Sequence, residues 1–409
     1  MKYIIILGDG MADEPIPALN YKTPLEYAST PNMDYIASLG TLGLIHTIPE
    51  GLPPGSDVAN LSVLGYDPKG CYSGRGPLEA ASMGIKMEPS DVAFRCNLIT
   101  LNSDNNPKMV DFTSGHIDSE TAKILIKELN SKLGTDEFAF FPGVSYRHIF
   151  IWRKGKTEMH THPPHDITGK TIKEFLPIGD GAEAIKGIME KAREILTHHP
   201  INRERKERGQ KPANGIWLWG QGRVPKIIPL STIFALRGGM ISAVDLLKGI
   251  AYYAGLENLP VNGATGYIDT NYAGKAKKAI EALNKLDFVF LHVEAPDEMG
   301  HEGNLEGKIK AIEDIDKFIV GPILNEIVAK QEFRLMVLSD HPTPVRTMTH
   351  TANPSPFAVI SSLDGENMKK RYTFCEKSAY ESGIYISPGY TLLGHFLGDW
   401  KAIVSKECK

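Results

Sequence analysis

Three apolar runs in this chain stop at side chains that can bind metal. Ile4-Ile5-Ile6-Leu7 leads into Gly8-Asp9-Gly10, Phe288 to Val293 into Pro296-Asp297-Glu298-Met299-Gly300-His301, and Met336-Val337-Leu338 into Ser339-Asp340-His341, with His350 soon after. Asp297 and His301 are four residues apart, a spacing that puts both on one face of a helical turn, within reach of one ion. Mixed oxygen and nitrogen donors suit manganese, zinc, magnesium or cobalt, and the lack of thiols nearby argues against a closed structural zinc site. Asp9, Asp297, His301, Asp340, His341 and His350 are enough ligands for two ions. Paired metals clamp the attacking and leaving oxygens of an in-line phosphoryl displacement, and a metal-bound serine becomes acidic enough to attack. Ser56, in Pro53-Pro54-Gly55-Ser56, is the serine to weigh.

Each of these residues also has an ordinary role open to it. Asp9 suits a turn, Asp297 and His301 suit an ion pair, and Ser56 suits a helix N-cap. Asn60, one turn beyond Ser56, reads most simply as an exposed helical polar residue, although it could face the same anion.

The elements that must position these residues are buried parallel strands, because side chains that work in open α/β sheets gather at the strands' carboxyl ends. Neighbours on an extended chain point to opposite sides, so Asp340 and His341 serve one site only if the backbone turns there, which Pro342 and Pro344 favour. The glycines around Asp9 allow the same. Met33, Ile36, Ala37 and Leu39 have helical spacing and end at Gly40, a C-cap signal. Ser56 begins another helix, whose free N–H groups would suit an anion.

A length of 409 residues predicts two domains, or one domain with a large insertion. With 42% hydrophobic and 23% charged residues, the composition is that of a soluble globular protein. The formal charge of -4 argues against a nucleic-acid or anionic-membrane surface. No apolar stretch approaches a membrane span, and the N-terminal run is too short for a signal segment, so a cytoplasmic location is expected. Cys71, Cys96, Cys375 and Cys408 are widely spaced and read as free thiols.

From about Asp91 to Lys211 the chain is richer in charge, with helical patterns at Ala122 to Leu133 and Ala182 to Leu196. This predicts an inserted substrate or lid domain, 91–211, in a core formed by 1–90 and 212–409. His160, His162 and His165 crowd one stretch of it, read as a loop that reaches a substrate or is merely solvated, rather than as a third metal site. Arg203 to Arg208 alternates with acids and reads as a solvated helical face. Helical spacing returns from Ile241 to Gly255.

Gly8-Asp9-Gly10, Gly55-Ser56, Pro296 to His301, Ser339-Asp340-His341, His350 to Phe357 and Ser73 to Gly84 together resemble the cofactor-independent phosphoglycerate mutases of the alkaline phosphatase superfamily. The likeness is nearest to the shorter, archaeal-type branch and spans nearly the whole chain. It implies an α/β, alkaline-phosphatase-like core with a central, mainly parallel sheet flanked by helices, plus an inserted α+β lid. It implies two divalent ions, Mn²⁺ foremost and Mg²⁺, Zn²⁺ or Co²⁺ otherwise, with no organic cofactor. Asp297, His301 and His350 would hold one ion; Asp9, Ser56, Asp340 and His341 would hold the other, with Ser56 transiently phosphorylated. Arg75, Arg147, His165 and Asp166 are the substrate-binding expectations, since the arginines of the longer bacterial branch have no clear counterparts.

The activity expected is interconversion of 3-phosphoglycerate and 2-phosphoglycerate, with a small phosphorylated hydroxy acid as substrate and no nucleic-acid or membrane partner. An alternative stays open, because Asn214-Gly-Ile-Trp-Leu-Trp-Gly220 resembles a bacterial subgroup proposed to act as a homoserine kinase; a phosphatase on the same metal core is a further variant. A conventional nucleotide site is weakened, since Gly169-Lys170-Thr171 has Pro164 where a P-loop requires glycine.

Overall fold

Tyr3 to Leu7 and Leu335 to Leu338 are apolar on both faces, the pattern of strands covered by helices on either side. In the computed structural model, which describes residues 1–102, 104–328, 332–363 and 372–400, they lie side by side at the centre of an eight-stranded sheet. The order is Glu257–Asn258, Gly238–Ile241, Phe288–Val293, Lys2–Gly8, Phe333–Ser339, Ser355–Ser361, Thr41–Ile45 and Tyr385–Ile386. Neighbouring pairs are parallel except where Ser355–Ser361 runs antiparallel to both of its neighbours. The register pairs Gly8 with both Val293 and Ser339, so the three strands that precede the candidate ligands end level with one another.

Ile4, Ile6, Val289, Leu291, Leu335 and Val337 share one core with Met33, Ile36, Ala276, Ala311, Ile312 and Ile323 from helices on that face. Each such aliphatic side chain contributes about 1.5–3 kcal/mol on burial. The helix Pro31–Leu39 ends at Gly40 as its spacing predicts. The Ile241 to Gly255 expectation is corrected in part: Ile241 closes a strand and the helix is Asp245–Tyr253, because Ile241 pairs with Leu291 in the sheet.

The chain divides into Met1–Tyr72 with Lys226–Lys409, and Ser73–Pro225. Residues 73–90 and 212–225, expected in the core, therefore group with the inserted unit. The reason is packing that composition does not report: the helix Arg75–Ser82 and the strand Gly215–Gly222 both lie against the strand Val92–Leu101. The inserted unit is α+β, an antiparallel sheet of Met109–Asp111, Val92–Leu101, Arg147–Trp152, Phe138–Val144 and Gly215–Gly222. Helices Ser119–Leu133 and Ala182–Thr197 share its core, with Leu125, Ile126, Ile185 and Ala192 packed near Phe94 and Trp217.

Arg203 to Arg208 is helical, but it is not wholly a solvated face. Arg205 is buried, and its guanidinium donates to the carbonyls of Lys211 and Ser114. Cys71, Cys96 and Cys375 are free and buried, while Cys408 lies outside the described residues. Among the described residues no helix is long and apolar enough to cross a membrane.

Candidate metal centre

The turn after the first strand depends on Gly10, whose φ of +60° is unfavourable for residues with a side chain. A Cβ there would lie 2.6 Å from Asp297 Oδ1 and 2.7 Å from Thr343 Oγ1. The Gly10 N–H donates to Asp340 Oδ1 at 3.1 Å, so one carboxylate fastens the adjacent strand-end loop. Lys308, fully buried, donates to the carbonyls of Ala12 and Thr343 and to Asp13 Oδ2, at 3.1, 2.8 and 2.8 Å. These bonds hold the loops after two central strands in one geometry.

The structure brings the candidate ligands together in two groups. Asp297 and His301 lie on the short helix Ala295–His301, with Oδ2 and Nε2 3.2 Å apart. His350 completes that group, its Nε2 2.9 Å from His301 Nε2 and 3.5 Å from Asp297 Oδ1. The Met348 carbonyl lies 3.0 Å from His301 Nδ1 and can accept its proton, which leaves Nε2 facing the cluster. In the second group His341 Nε2 lies 3.4 Å from Asp9 Oδ1 and 3.6 Å from Asp340 Oδ2.

Ser56 joins this second group and does not cap its helix. The N-cap of Ser56–Val63 is Gly55, and the Ser56 hydroxyl instead sits 3.3 Å from His341 Nε2 and 3.4 Å from Asp9 Oδ1. Asn60 is also corrected from an exposed residue to a buried one. Its amide donates to the Ser56 carbonyl at 2.8 Å and to Asp340 Oδ2 at 3.0 Å.

Asp9, Asp340 and His341 are fully buried, and Asp297 nearly so. Burial and then the charges of Asp340, Glu294 and Asp297 push the Asp9 carboxyl well above its usual range, and burial raises Asp340. Burial would raise Asp297 too, but its bonds to His301 and His350 prevail and hold it well below. His301 is pushed up to about 9, chiefly by its bond to Asp297. Crowded buried carboxylates of this kind are costly unless cations offset them. With oxygen and imidazole donors from 2.9 to 3.6 Å apart, the two groups suit divalent metal ions.

Sequence reasoning missed His292 and Glu294, which form a third group with Asp9. His292 is hidden inside the apolar run Phe288–Val293, and Glu294 falls between that run and the Pro296 to His301 motif, outside the spacing that marks Asp297 and His301.

Arg75, Arg147, His165 and Asp166 all lie in the inserted unit. There the Arg95 guanidinium, also missed, rests 4.4 Å over the Trp219 ring and 3.1 Å from Glu79. Burial holds Arg95 below the usual guanidinium range against the pull of Glu79, and the charges of Arg75 and Arg147 lower it further. The other edge of this cluster is His165, whose ring is 5.7 Å from Trp219 and whose Nε2 is 3.6 Å from the exposed Asp166. Three arginines thus gather near one carboxylate, an arrangement able to receive an anion. His160 and His162 stand apart as a pair, Nε2 to Nε2 3.2 Å, with His162 Nδ1 at the Phe175 carbonyl.

A family model described as 2,3-bisphosphoglycerate-independent phosphoglycerate mutase matches residues 37–202. A probable mutase of that name from Geobacter sulfurreducens is 51% identical over 96% of this chain and 98% of its own length. One from Methanosarcina barkeri is 50% identical, with 96% and 98% covered. Among solved structures, a protein from Pyrococcus horikoshii superposes with a TM-score of 0.81 at 32% identity, covering 97% of this chain and 96% of that one. The cofactor-independent phosphoglycerate mutase from Thermoplasma acidophilum gives 0.66 at 27% identity, covering 97% and 99%. These names favour the mutase expectation over the kinase alternative. Similar to such relatives along nearly its whole length, the chain belongs to the family of 2,3-bisphosphoglycerate-independent phosphoglycerate mutases.

Proposed function

We propose that the chain interconverts 3-phosphoglycerate and 2-phosphoglycerate by passing the phosphoryl group through Ser56. The observation that carries this reading is the Ser56 hydroxyl, which is released from capping and lies within 3.4 Å of both Asp9 and His341. Divalent ions, Mn²⁺ foremost, would acidify that hydroxyl and neutralise the phosphoryl oxygens when held by Asp297, His301 and His350 and by Asp9, Asp340 and His341. Ser56 attacks phosphorus as its proton leaves, the P–O bond to the glycerate hydroxyl breaks, and that oxygen takes up a proton. The glycerate then presents its other hydroxyl to the phosphoserine, and the reverse displacement returns the group.

Asn60 holds Asp340 and the Ser56 main chain throughout, so the nucleophile starts from a fixed position. Arg75, Arg147, His165 and Asp166, with Arg95, supply the substrate contacts in this proposal. The inserted unit acts as the lid that keeps water from the phosphoserine. A cytoplasmic location goes with this reaction.

Mass spectrometry of protein quenched during turnover with 3-phosphoglycerate tests the reading. Phosphate on Ser56 is the expected result, and full turnover with Ser56 unmodified would overturn it. Homoserine plus ATP should yield no phosphohomoserine.

A further inference from the structure

The chain leaves the unit that holds the eight-stranded sheet after Tyr72 and returns to it at Lys226. At the first crossing the Tyr72 hydroxyl donates to Asp57 Oδ2 at 2.6 Å, the short separation of a charge-assisted bond. Asp57 is buried and directly follows Ser56. Near the second crossing the Ile228 carbonyl accepts the Tyr66 hydroxyl at 2.8 Å, and the Tyr66 N–H donates to the Leu61 carbonyl in the helix Ser56–Val63. Each crossing is therefore fastened by one tyrosine hydroxyl to the helix that carries Ser56 or to its end. We propose that Tyr72 and Asp57 are a positioning pair, which sets Ser56 for attack and ties it to the first crossing; the inference rests on the phosphoserine reading above.

Gly55 caps this helix without a side chain, so the first-turn N–H groups need another acceptor. Asp57 Oδ1 supplies one, accepting the Val58 N–H at 3.0 Å. That task needs only one oxygen. The second is held by Tyr72, whose ring packs against Ile48, Val58 and Ala59, so both ends of the Asp57 carboxylate are fixed. The peptide between Ser56 and Asp57 is held on its other side too, because Asn60 donates to the Ser56 carbonyl at 2.8 Å. Thus constrained, Ser56 points at Asp9 and His341 in place of turning back to cap its own helix.

The pair also answers a charge problem. A bare carboxylate one residue from the attacking oxygen would repel an entering phosphoryl group. The Tyr72 hydroxyl and the Val58 N–H both donate to it, which offsets part of that charge. Removing the Tyr72 hydroxyl should therefore slow the attack on phosphorus and leave the ligands Asp9, Asp340 and His341 as they are, since none of them bonds to Tyr72 or Asp57 in this arrangement.

The test uses Tyr72→Phe, which keeps the packed ring, Asp57→Asn, which keeps an acceptor for Val58, and the double variant, each as the full chain with saturating Mn²⁺. Rapid-quench mass spectrometry with 3-phosphoglycerate should show Ser56 phosphorylated about tenfold more slowly in each single variant, with KM and Mn²⁺ affinity within about twofold of wild type. The double variant should be no slower than the slower single one, because both changes break the same link. If Asp57→Asn does not fold, Tyr72→Phe decides alone. A wild-type phosphorylation rate in Tyr72→Phe, or losses that multiply in the double variant, would overturn the proposal. Mn²⁺ affinity that falls in step with the rate would overturn it too, since the bond would then serve the fold of the metal centre. Absence of phosphoserine in the wild type would remove the reading beneath the inference, whereas a phosphorylated wild type with an unaffected Tyr72→Phe would remove the inference alone.

Discussion

The Ser56 hydroxyl lies 3.3 Å from His341 Nε2, on a helix whose capping position belongs to Gly55. Because the serine does not cap, Ser56→Ala should cost less than the roughly 1 kcal/mol of a lost N-cap. It should lower phosphoryl transfer on the order of a thousandfold or more. Thermal melts beside single-turnover assays check this; a folded variant with substantial turnover would leave direct transfer between hydroxyls.

His301, raised to about 9 by Asp297, carries a proton at neutral pH in the metal-free protein. Metal needs the neutral ring, so uptake at Asp297, His301 and His350 should release close to one proton at pH 7. Affinity there should weaken about tenfold for each pH unit below 9 and level off above it. Calorimetry in buffers of different ionisation heat reads the released proton directly. Chelation should abolish activity, and Mn²⁺ should restore it.

Asn60→Ala removes the donor to Asp340 Oδ2 and to the Ser56 carbonyl. The cost should be about 1–3 kcal/mol, since buried acceptors lose their partner. Turnover should fall together with metal affinity. Urea titration and metal binding on the same sample separate the two, and unchanged binding would remove Asn60 from the positioning of Asp340.

Lys308→Met should be among the more damaging changes remote from the chemistry. The fully buried ammonium has Asp13 as its ion-pair partner, and losing it strands that carboxylate, at about 3–5 kcal/mol. Denaturant unfolding measures it. The double variant Lys308→Met with Asp13→Asn should recover part of the loss.

Arg147→Ala should raise KM for 3-phosphoglycerate about tenfold, a loss near 1.4 kcal/mol, with little change in the melt. Its side chain is exposed, which makes a folding defect a poor explanation of any effect. Hydrolysis of a small aryl phosphate, which has no carboxylate to bind, should be unaltered. An equal loss on both substrates would place Arg147 outside substrate recognition.

The sequence by itself determined the candidate donor residues and the strands that end at them. Asp9, Asp340 and His341 each follow a buried apolar run, and Asp297 and His301 share a helical spacing, so the signal is local and survives in a linear reading. Membership of the family was legible for the same reason: its motifs are short and sit at strand ends. The tertiary structure decided what depends on contacts between distant segments. His350 meets Asp297 only because the loop after Phe333–Ser339 folds back on the helix Ala295–His301, and Ser56 turns from capping because Asp9 and His341 converge on it. Arg95, His292 and Glu294 carry no local mark, since a polar residue in or beside a buried strand looks the same whether its partner is solvent, a carboxylate or an ion. The edges of the inserted unit were hidden likewise, because the helix Arg75–Ser82 is assigned by the sheet it packs against, a long-range contact with no trace in composition.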